Sequence, residues 1–485
     1  MNYLGWSEGF HDAAATIIND KGDIVFASHS ERFSGNKHEK NISLELKAHI
    51  DYNYDIDHYA FFEKPLLKKS RQLYAGQYKT VFNKRRLAWT PNTTFHHHKS
   101  HAAATFQTSK YDEAAAVVID SIGEWDTTSI WYCKYDKEGY AVYDKRWSKR
   151  YPSSIGLWYT ALTHFVGLRP LDEEYIFMGM AAFGKLEVAL IDKLEQLFNY
   201  NLHKGIPQKL IDDLGLKNYK DVDIAYNAQI VLEDRLKDIF DKALSYSKNV
   251  VYGGGVALNC VANTKLYAQC EGRLWVFPNP GDAGGSLGAA ALAYGKQINW
   301  KHPYLGHKME QSEYKNTEAM AQEIVAYLLK NKICGVAHGA AEFGPRALGN
   351  RSLIADPRGG DIKDRVNEIK KRQKFRPFAP AVLEERVGEW FNPGLVSPYM
   401  QMVVKARTNT QKQLPAVIHK DRTCRVQTIH KDEPTIFRRI IEIFYEKTGV
   451  PVLLNTSLNI RGEPMVNGIN DAIRFEEKYG VKVFY

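Results

Sequence analysis

The chain has few cysteines and none placed to bond one another. Cys133, Cys260, Cys270, Cys334 and Cys424 are scattered, odd in number and without a C-x-x-C pair, which excludes a disulfide scaffold and a zinc ribbon and predicts reduced thiols. No stretch approaches the roughly 18 to 20 apolar residues of a membrane span. The N-terminal MNYLGWSEGF lacks the basic-then-apolar plan of a secretion signal, so a cytoplasmic location is expected. Internal repeats and low-complexity tracts are not visible, nor is a P-loop or a G-x-G-x-x-G after the first strand. A hydrophobic content of 44% with 25% charged residues excludes a disordered chain. Positive charge is in excess, at a net +9. This favours anionic partners such as phosphates, nucleotides or nucleic acid, although solubility alone accounts for it equally well.

At 485 residues the chain exceeds what one core usually organises, so two lobes are expected. Apolar β-type runs alternate with amphipathic helices, as in α/β proteins. Hairpins are predicted at residues 13–30 and 129–147, turning at Asp20-Lys21-Gly22 and Lys137-Glu138-Gly139, and a buried strand at 114–120 ends on Asp120. A helix over about 226–247 precedes the strand of NVVYGGG. The polar, aperiodic residues 297–316 part a first lobe, residues 1–300, from a second, residues 316–485. The second lobe opens with a helix from Thr317 and a strand from Ile333, and later repeats helix and strand in PTIFRRIIEIFYEKTG and PVLLNTS.

The stretch FHHHKSHAAATF carries His96, His97, His98 and His101. On a helix His97 and His101 share one face and are able to share a metal. An isolated pair of this kind is more often a solvated polar face. A metal needs more ligands: Asp120 is the first candidate, at a strand end where α/β sheets place ligand crevices. Asp282 is the second, just before the glycine-rich helix start of GDAGGSLGAA. Two histidines with two aspartates suit Fe(II), Mn(II) or Zn(II) better than Mg(II). Gly254 and Gly255 with Asn259 in GGGVALN, Gly123 and Glu124 in DSIGE, and Gly284 form three strand-to-turn segments whose backbones can approach a nucleotide. Each alone also fits an ordinary tight turn. In the second lobe, Arg346, Arg351, Arg376 and Arg461 lie in apolar or glycine-rich segments beside Asn455 and Ser457. An oxyanion pocket explains them better than salt bridges to Asp356, Glu384 or Glu463.

In chain order, FHDAAA, SERFSGNKHE, HHHKSHAAATF, VVIDSIGE, FMGMAAFG, GGGVALNCVANTKL, NPGDAGGSLGAA, EFGPRALGNRSLIADPR, FRPFAPAVLEE, CRVQTI and NTSLNIRGEP resemble the O-carbamoyltransferases of nodulation-factor, aminoglycoside and cephamycin biosynthesis. The resemblance implies an actin-like N-terminal lobe, similar to the threonylcarbamoyl transferases acting on tRNA, and a YrdC-like C-terminal lobe. It also implies that the second lobe makes carbamoyl-adenylate from carbamoyl phosphate and ATP, with Mg for the nucleotide, and that the first passes the carbamoyl group to an acceptor hydroxyl. By the family pattern His97, His101, Asp120 and Asp282 hold a divalent transition metal, iron or manganese. His11, in the first loop, is expected to be the base because an imidazole titrates near the working pH, the alternative being a phosphate-loop hydrogen-bond donor; His98 is expected to orient the acyl group or move a proton, and Lys37 with His38 to face the crevice. Ser121, Ile176, His338 and Gln373 depart from the pattern, so acceptor recognition is expected to differ. A homodimer is left open.

Residues 64–86 hold eight basic residues and no acidic one, with Tyr74, Tyr78 and Phe82 interleaved and Trp89 beyond. Cations mixed with rings form a nucleic-acid footprint. The acceptor favoured on this ground is a hydroxymethylated pyrimidine in DNA or a nucleotide. The alternatives are the hydroxyl of a sugar or antibiotic, with the aromatics as core, or an actin-like small-molecule kinase or ATPase.

Overall fold

The computed structural model describes residues 1–82, 86–309 and 317–485. The chain forms two compact units, Met1–Val25 with Lys47–Trp300, and Phe26–Leu46 with Lys301–Tyr485. The division after Trp300 falls within the polar stretch 297–316. Residues 26–46, counted from sequence with the first lobe, group with the second. Their side chains are committed there: Arg32 Nη2 donates to Gly344 O at 3.4 Å, and the rings of His29 and Phe33 lie 5.6 and 6.2 Å from those of Phe343 and His307. Periodicity reveals what a segment forms, not which core it enters.

The first unit is built on two mixed sheets. In one, β1 (Asn2–Ser7) is antiparallel to β2 (Ala14–Asn19) and parallel to β4 (His58–Phe61), with β5 (Thr93–Thr94) at one edge and β3 (Ile24–His29), of which only Ile24 and Val25 are counted with this unit, at the other. In the other, β6 (Glu113–Ile119) is antiparallel to β7 (Asp126–Tyr135) and parallel to β9 (Val250–Gly253), with β8 (Ala141–Arg150) and β10 (Leu274–Val276) outside. Both sheets have the strand order 3-2-1-4-5, and in each the first strand is antiparallel to the second and parallel to the fourth, which is parallel to the fifth. This duplication is the plan of an actin-like core. The absence of a sequence repeat did not reveal it, because backbone pairing tolerates unrelated side chains.

Strand β6 shows how the sequence places the site. Ala115, Val117 and Ile119 enter a core with the helix α2 (Asp221–Leu244), while Ala114, Ala116 and Val118 pack on the opposite face with Phe106 of α1 (His97–Phe106). Covered on both faces, the strand is apolar from Ala114 to Ile119 after its exposed first residue, Glu113. Asp120, the next polar residue, therefore emerges just past the C-terminal end. The small residues of α3 (Gly285–Tyr294) allow close approach: a Cβ on Gly288 would lie 1.8 Å from Ser100 O of α1, and one on Gly5 of β1 2.1 Å from Ser286 O.

In the second unit a six-stranded mixed sheet runs in the order β14 (Gln427–Ile429), β13 (Ala379–Leu383), β15 (Val452–Ser457), β12 (Arg351–Ala355), β11 (Ile333–Ala337), β16 (Val483–Phe484). Thr435 caps the helix Ile436–Thr448 by accepting from Phe437 N, and Gly449 in the left-handed region ends it, matching the helix read from PTIFRRIIEIFYEKTG. All five cysteines are buried and unbonded. Among the described residues no helix is long and apolar enough to cross a membrane.

Candidate active site

Helix α1 starts at His97, so His97 and His101 project from one buried face. Asp120 reaches them from the end of β6, and Asp282 from the turn Asp282–Gly284 that leads into α3. The two Nε2 atoms are 3.1 Å apart. His97 Nε2 lies 3.0 Å from Asp120 Oδ2 and 3.4 Å from Asp282 Oδ1. His101 Nε2 lies 3.5 Å from each of these oxygens. A tetrahedron with bonds near 2.1 Å has edges of about 3.4 Å. Four donors at such spacing match the geometry of a single cation site, and the four residues form a cluster able to hold a metal ion.

The electrostatics agree. Burial disfavours charge on His97 and His101, but Asp120 and Asp282 outweigh it and hold both imidazoles above their usual range. In turn the imidazoles overcome burial to hold Asp120 well below the carboxylate range and Asp282 near about 2. Two protonated Nε2 atoms 3.1 Å apart repel one another. A bound cation supplies the same charge without that conflict.

Around this cluster the expected residues take distinct places. His11 Nδ1 is 2.9 Å from Asp12 Oδ2; burial lowers its affinity for a proton, but Asp12, Asp282 and Asp120 raise it overall. His98 is buried with Nδ1 2.8 Å from Ser129 Oγ. Burial and His97 push it down to about 3, leaving a neutral ring. Gly123 lies against both rings, where a Cβ would come 2.9 Å from His98 Cδ2 and 3.2 Å from His97 Cδ2. Gly254, at φ +89, lets the chain pass Ile119, whose carbonyl oxygen a Cβ would meet at 2.2 Å. Gly255 lies beside Asp120 Oδ1, and Gly284 beside Asn279 O.

Asn259 differs from expectation. Its Oδ1 accepts from Ala262 N as a helix N-cap, and its amide exchanges hydrogen bonds with Gln229, so the side chain serves the interior rather than a nucleotide. Glu124 likewise faces backbone. Its Oε1 accepts from Lys64 N at 2.8 Å and His97 N at 2.9 Å. The exposed His96 stands 3.9 Å from Glu124 Oε2. Ile176 is a core residue, 1% exposed.

The second unit gathers cations around Lys370, which the motif reading did not name. Its buried Nζ donates within a cage of Ser457 O, Ser457 Oγ, Asn459 O and Asn459 Oδ1, at 2.5 to 3.0 Å. Burial together with Arg372, Arg376 and Lys37 presses the ammonium well below the lysine range. Arg461 N donates to Lys370 O. Lys37 Nζ is held by Glu31 at 2.8 and 2.9 Å. The only signal for Lys370 in the sequence was its place in the basic run KKRQKFRPF. Arg346 and Arg376 are half-buried and Arg461 is exposed.

Arg351 departs from the anion-binding expectation. Its guanidinium is wholly buried, and its five N–H groups meet five carbonyls, those of Asn467, His338, Asn350, His307 and Gly339, at 2.8 to 3.2 Å. No donor is left for phosphate. Asn455 Nδ2 also bonds inward, to Ala347 O and Gln427 Oε1. Asp356, the salt-bridge partner considered from sequence, pairs with Lys332 and Arg358.

The basic stretch is partly internal. Lys68 pairs with Glu63 at 2.7 Å, buried Arg71 donates to Glu124 O, and Trp89 is 8% exposed with Nε1 bonded to Asp51. Tyr74 and Tyr78 are 68% and 61% exposed, and Lys69, Lys79 and Arg86 are exposed. Lys84 and Arg85 lie outside the described residues, as does the side chain of Phe82.

Residues 61–291 match the family model "Carbamoyltransferase N-terminus" and residues 325–485 "Carbamoyltransferase C-terminus". This chain belongs to the carbamoyltransferase family. A Synechocystis protein of uncharacterised function is 31% identical over 97% of this chain and 93% of its own. Nodulation protein NolNO of Sinorhizobium fredii is 28% identical over 96% of this chain and 76% of its own. Nodulation protein U of Bradyrhizobium diazoefficiens is 35% identical over 51% and 46% respectively. Membership makes the chain an enzyme that transfers carbamoyl groups, so the kinase and simple ATPase alternatives fall away.

Proposed function

We propose that this carbamoyltransferase is ATP-dependent and works in two steps, the second unit making carbamoyl-adenylate and the first using it. One observation carries the reading: the chain holds two clusters of opposite chemistry, a buried His97–His101–Asp120–Asp282 donor set in one unit and a lysine-arginine group around Lys370 in the other. In the second unit Arg346, Arg376, Arg461 and Lys37 bind carbamoyl phosphate and the phosphates of Mg-ATP, with Ser457 fixed by Lys370 as part of the wall. Carbamoyl phosphate, water and ATP give carbamoyl-adenylate, phosphate and pyrophosphate.

In the first unit His97, His101, Asp120 and Asp282 hold a divalent transition metal, iron or manganese, which when bound supplies Lewis acidity toward the adenylate phosphate. Gly123, Gly254, Gly255 and Gly284 let the backbone approach the nucleotide. With Nδ1–H directed at Asp12, His11 receives the acceptor's proton at Nε2. The acceptor oxygen bonds to the carbamoyl carbon, the carbon–oxygen bond to the phosphate breaks, and AMP leaves. Neutral His98 orients the carbamoyl group without adding charge.

For the acceptor, exposed Tyr74 and Tyr78 beside Lys69 and Lys79 support a hydroxymethylated pyrimidine, in DNA or as a nucleotide. The internal engagement of Lys68, Arg71 and Trp89 shrinks that footprint and favours a second reading, a sugar hydroxyl. Mass spectrometry after incubation with ATP, carbamoyl phosphate and either hydroxymethylated DNA, nucleosides or aminoglycosides distinguishes them by a gain of one carbamoyl group. Transfer to a sugar alone, unchanged by neutralising Lys69 and Lys79, rejects the pyrimidine. No ATP-dependent transfer from carbamoyl phosphate to any hydroxyl rejects the whole proposal.

A further inference from the structure

A metal-ligating histidine ordinarily fixes its ring by donating the second nitrogen to a carboxylate or carbonyl. His97 lacks that device: its buried Nδ1 has no hydrogen-bond partner among the described residues. Its ring is steered by packing against Phe62, 5.2 Å away, and against Gly123, and by the position of its own backbone. That backbone is the first residue of α1, where the N–H groups have no intrahelical acceptor. Glu124 supplies one. It is 5% exposed, and its Oε1 accepts from His97 N at 2.9 Å. The same oxygen accepts from Lys64 N at 2.8 Å, at the start of the helix Pro65–Tyr74. That helix returns to the same place, since Arg71 Nε donates to Glu124 O at 3.2 Å and Ser70 Oγ accepts from Trp125 Nε1 at 3.0 Å. One carboxylate oxygen thus ties the metal-bearing helix to the helix that leads the basic stretch.

We infer that Glu124 is the positioning residue of the metal centre: it orients His97 through the backbone in place of the missing bond at Nδ1, and it locks the helix Pro65–Tyr74 to the same point. The inference rests on the metal reading above. What matters is an acceptor oxygen at the reach of a glutamate, which sets Glu124 apart from a residue needed only for its charge. Glu124→Gln keeps the reach and the oxygen but loses the charge. Glu124→Asp keeps the charge but falls short by one methylene.

The test measures iron(II) and manganese(II) affinity of the purified full chain by competition with a chelator, alongside hydrogen exchange at the His97 amide and carbamoyl-phosphate-dependent pyrophosphate release. Glu124→Gln is expected within about threefold of the parent in metal affinity. Glu124→Asp and Glu124→Ala are expected to lose about ten- to a hundredfold and to exchange the His97 amide at least tenfold faster, while pyrophosphate release is unchanged in all three. An aspartate variant as good as the parent with a weakened glutamine variant overturns the inference in favour of a charge role, as does parental affinity in all three. If the parent itself binds neither metal, the metal reading falls and takes this inference with it, an outcome separate from parental binding that is indifferent to residue 124.

Discussion

Replacing Gly288 with alanine tests whether close packing of α3 on α1 builds the metal site. The added Cβ would lie 1.8 Å from Ser100 O, whereas a carbon–oxygen contact relaxes to about 3.3 Å. The two helices must therefore part by about 1.5 Å or tilt to the same effect. Asp282 lies in the turn Asp282–Gly284 that leads directly into α3, whose first residue is three before Gly288, so a shift of the helix carries that turn with it. Metal sites tolerate errors of only about 0.2 Å in ligand distance. Overpacking of this kind costs about 1–3 kcal/mol in stability, which the chain should survive, while metal affinity should fall at least tenfold. Metal analysis of purified Gly288→Ala against the parent, with thermal unfolding to verify the fold, reads both quantities. A folded variant with parental metal content and affinity would refute the claim that this contact places Asp282.

Arg351→Lys should destabilise the second unit by about 2–4 kcal/mol, because three donors cannot serve five buried carbonyls; an unchanged denaturant midpoint would contradict the structural role of Arg351. The stability of that unit should also fall in acid through Asp356. Burial raises this carboxyl, but Arg358 and Lys332 outweigh it and hold it below its ordinary value, so its contribution is complete above about pH 4 and disappears as the pH drops through the lowered folded value. Asp356→Asn should remove that part of the pH dependence, as seen in melting temperatures between pH 6 and 3; a parental slope in the variant would refute the assignment.

The gathering of His97, His101, Asp120 and Asp282 was legible because each residue sits where local structure fixes its direction. His97 and His101 follow from helical spacing, Asp120 from the end of an apolar strand, and Asp282 from the turn before a small-residue helix. The second unit was less legible. Arg346, Arg351, Arg376 and Arg461 look alike in sequence, yet the guanidinium of Arg351 is consumed by carbonyls contributed from residues 307 to 467, a partner set no local pattern encodes. Lys370 was missed for the same reason, since its cage is assembled from a distant strand end. Residues 26–46 joined the other unit through Arg32, His29 and Phe33, whose long-range contacts leave no trace in periodicity. The duplicated sheet order was equally hidden, because it resides in backbone pairing.

If synthesis and transfer of the carbamoyl group belong to separate units, single substitutions in each should separate the two reactions. The most direct measurement follows, in the same reactions, pyrophosphate released from ATP and carbamoyl group gained by the acceptor, for the parent, Arg461→Ala and His101→Ala. The parent should release pyrophosphate only with carbamoyl phosphate, Arg461→Ala should lose both signals, and His101→Ala should keep pyrophosphate release while losing metal and transfer. Full pyrophosphate release by Arg461→Ala, or full transfer by His101→Ala, would contradict that separation.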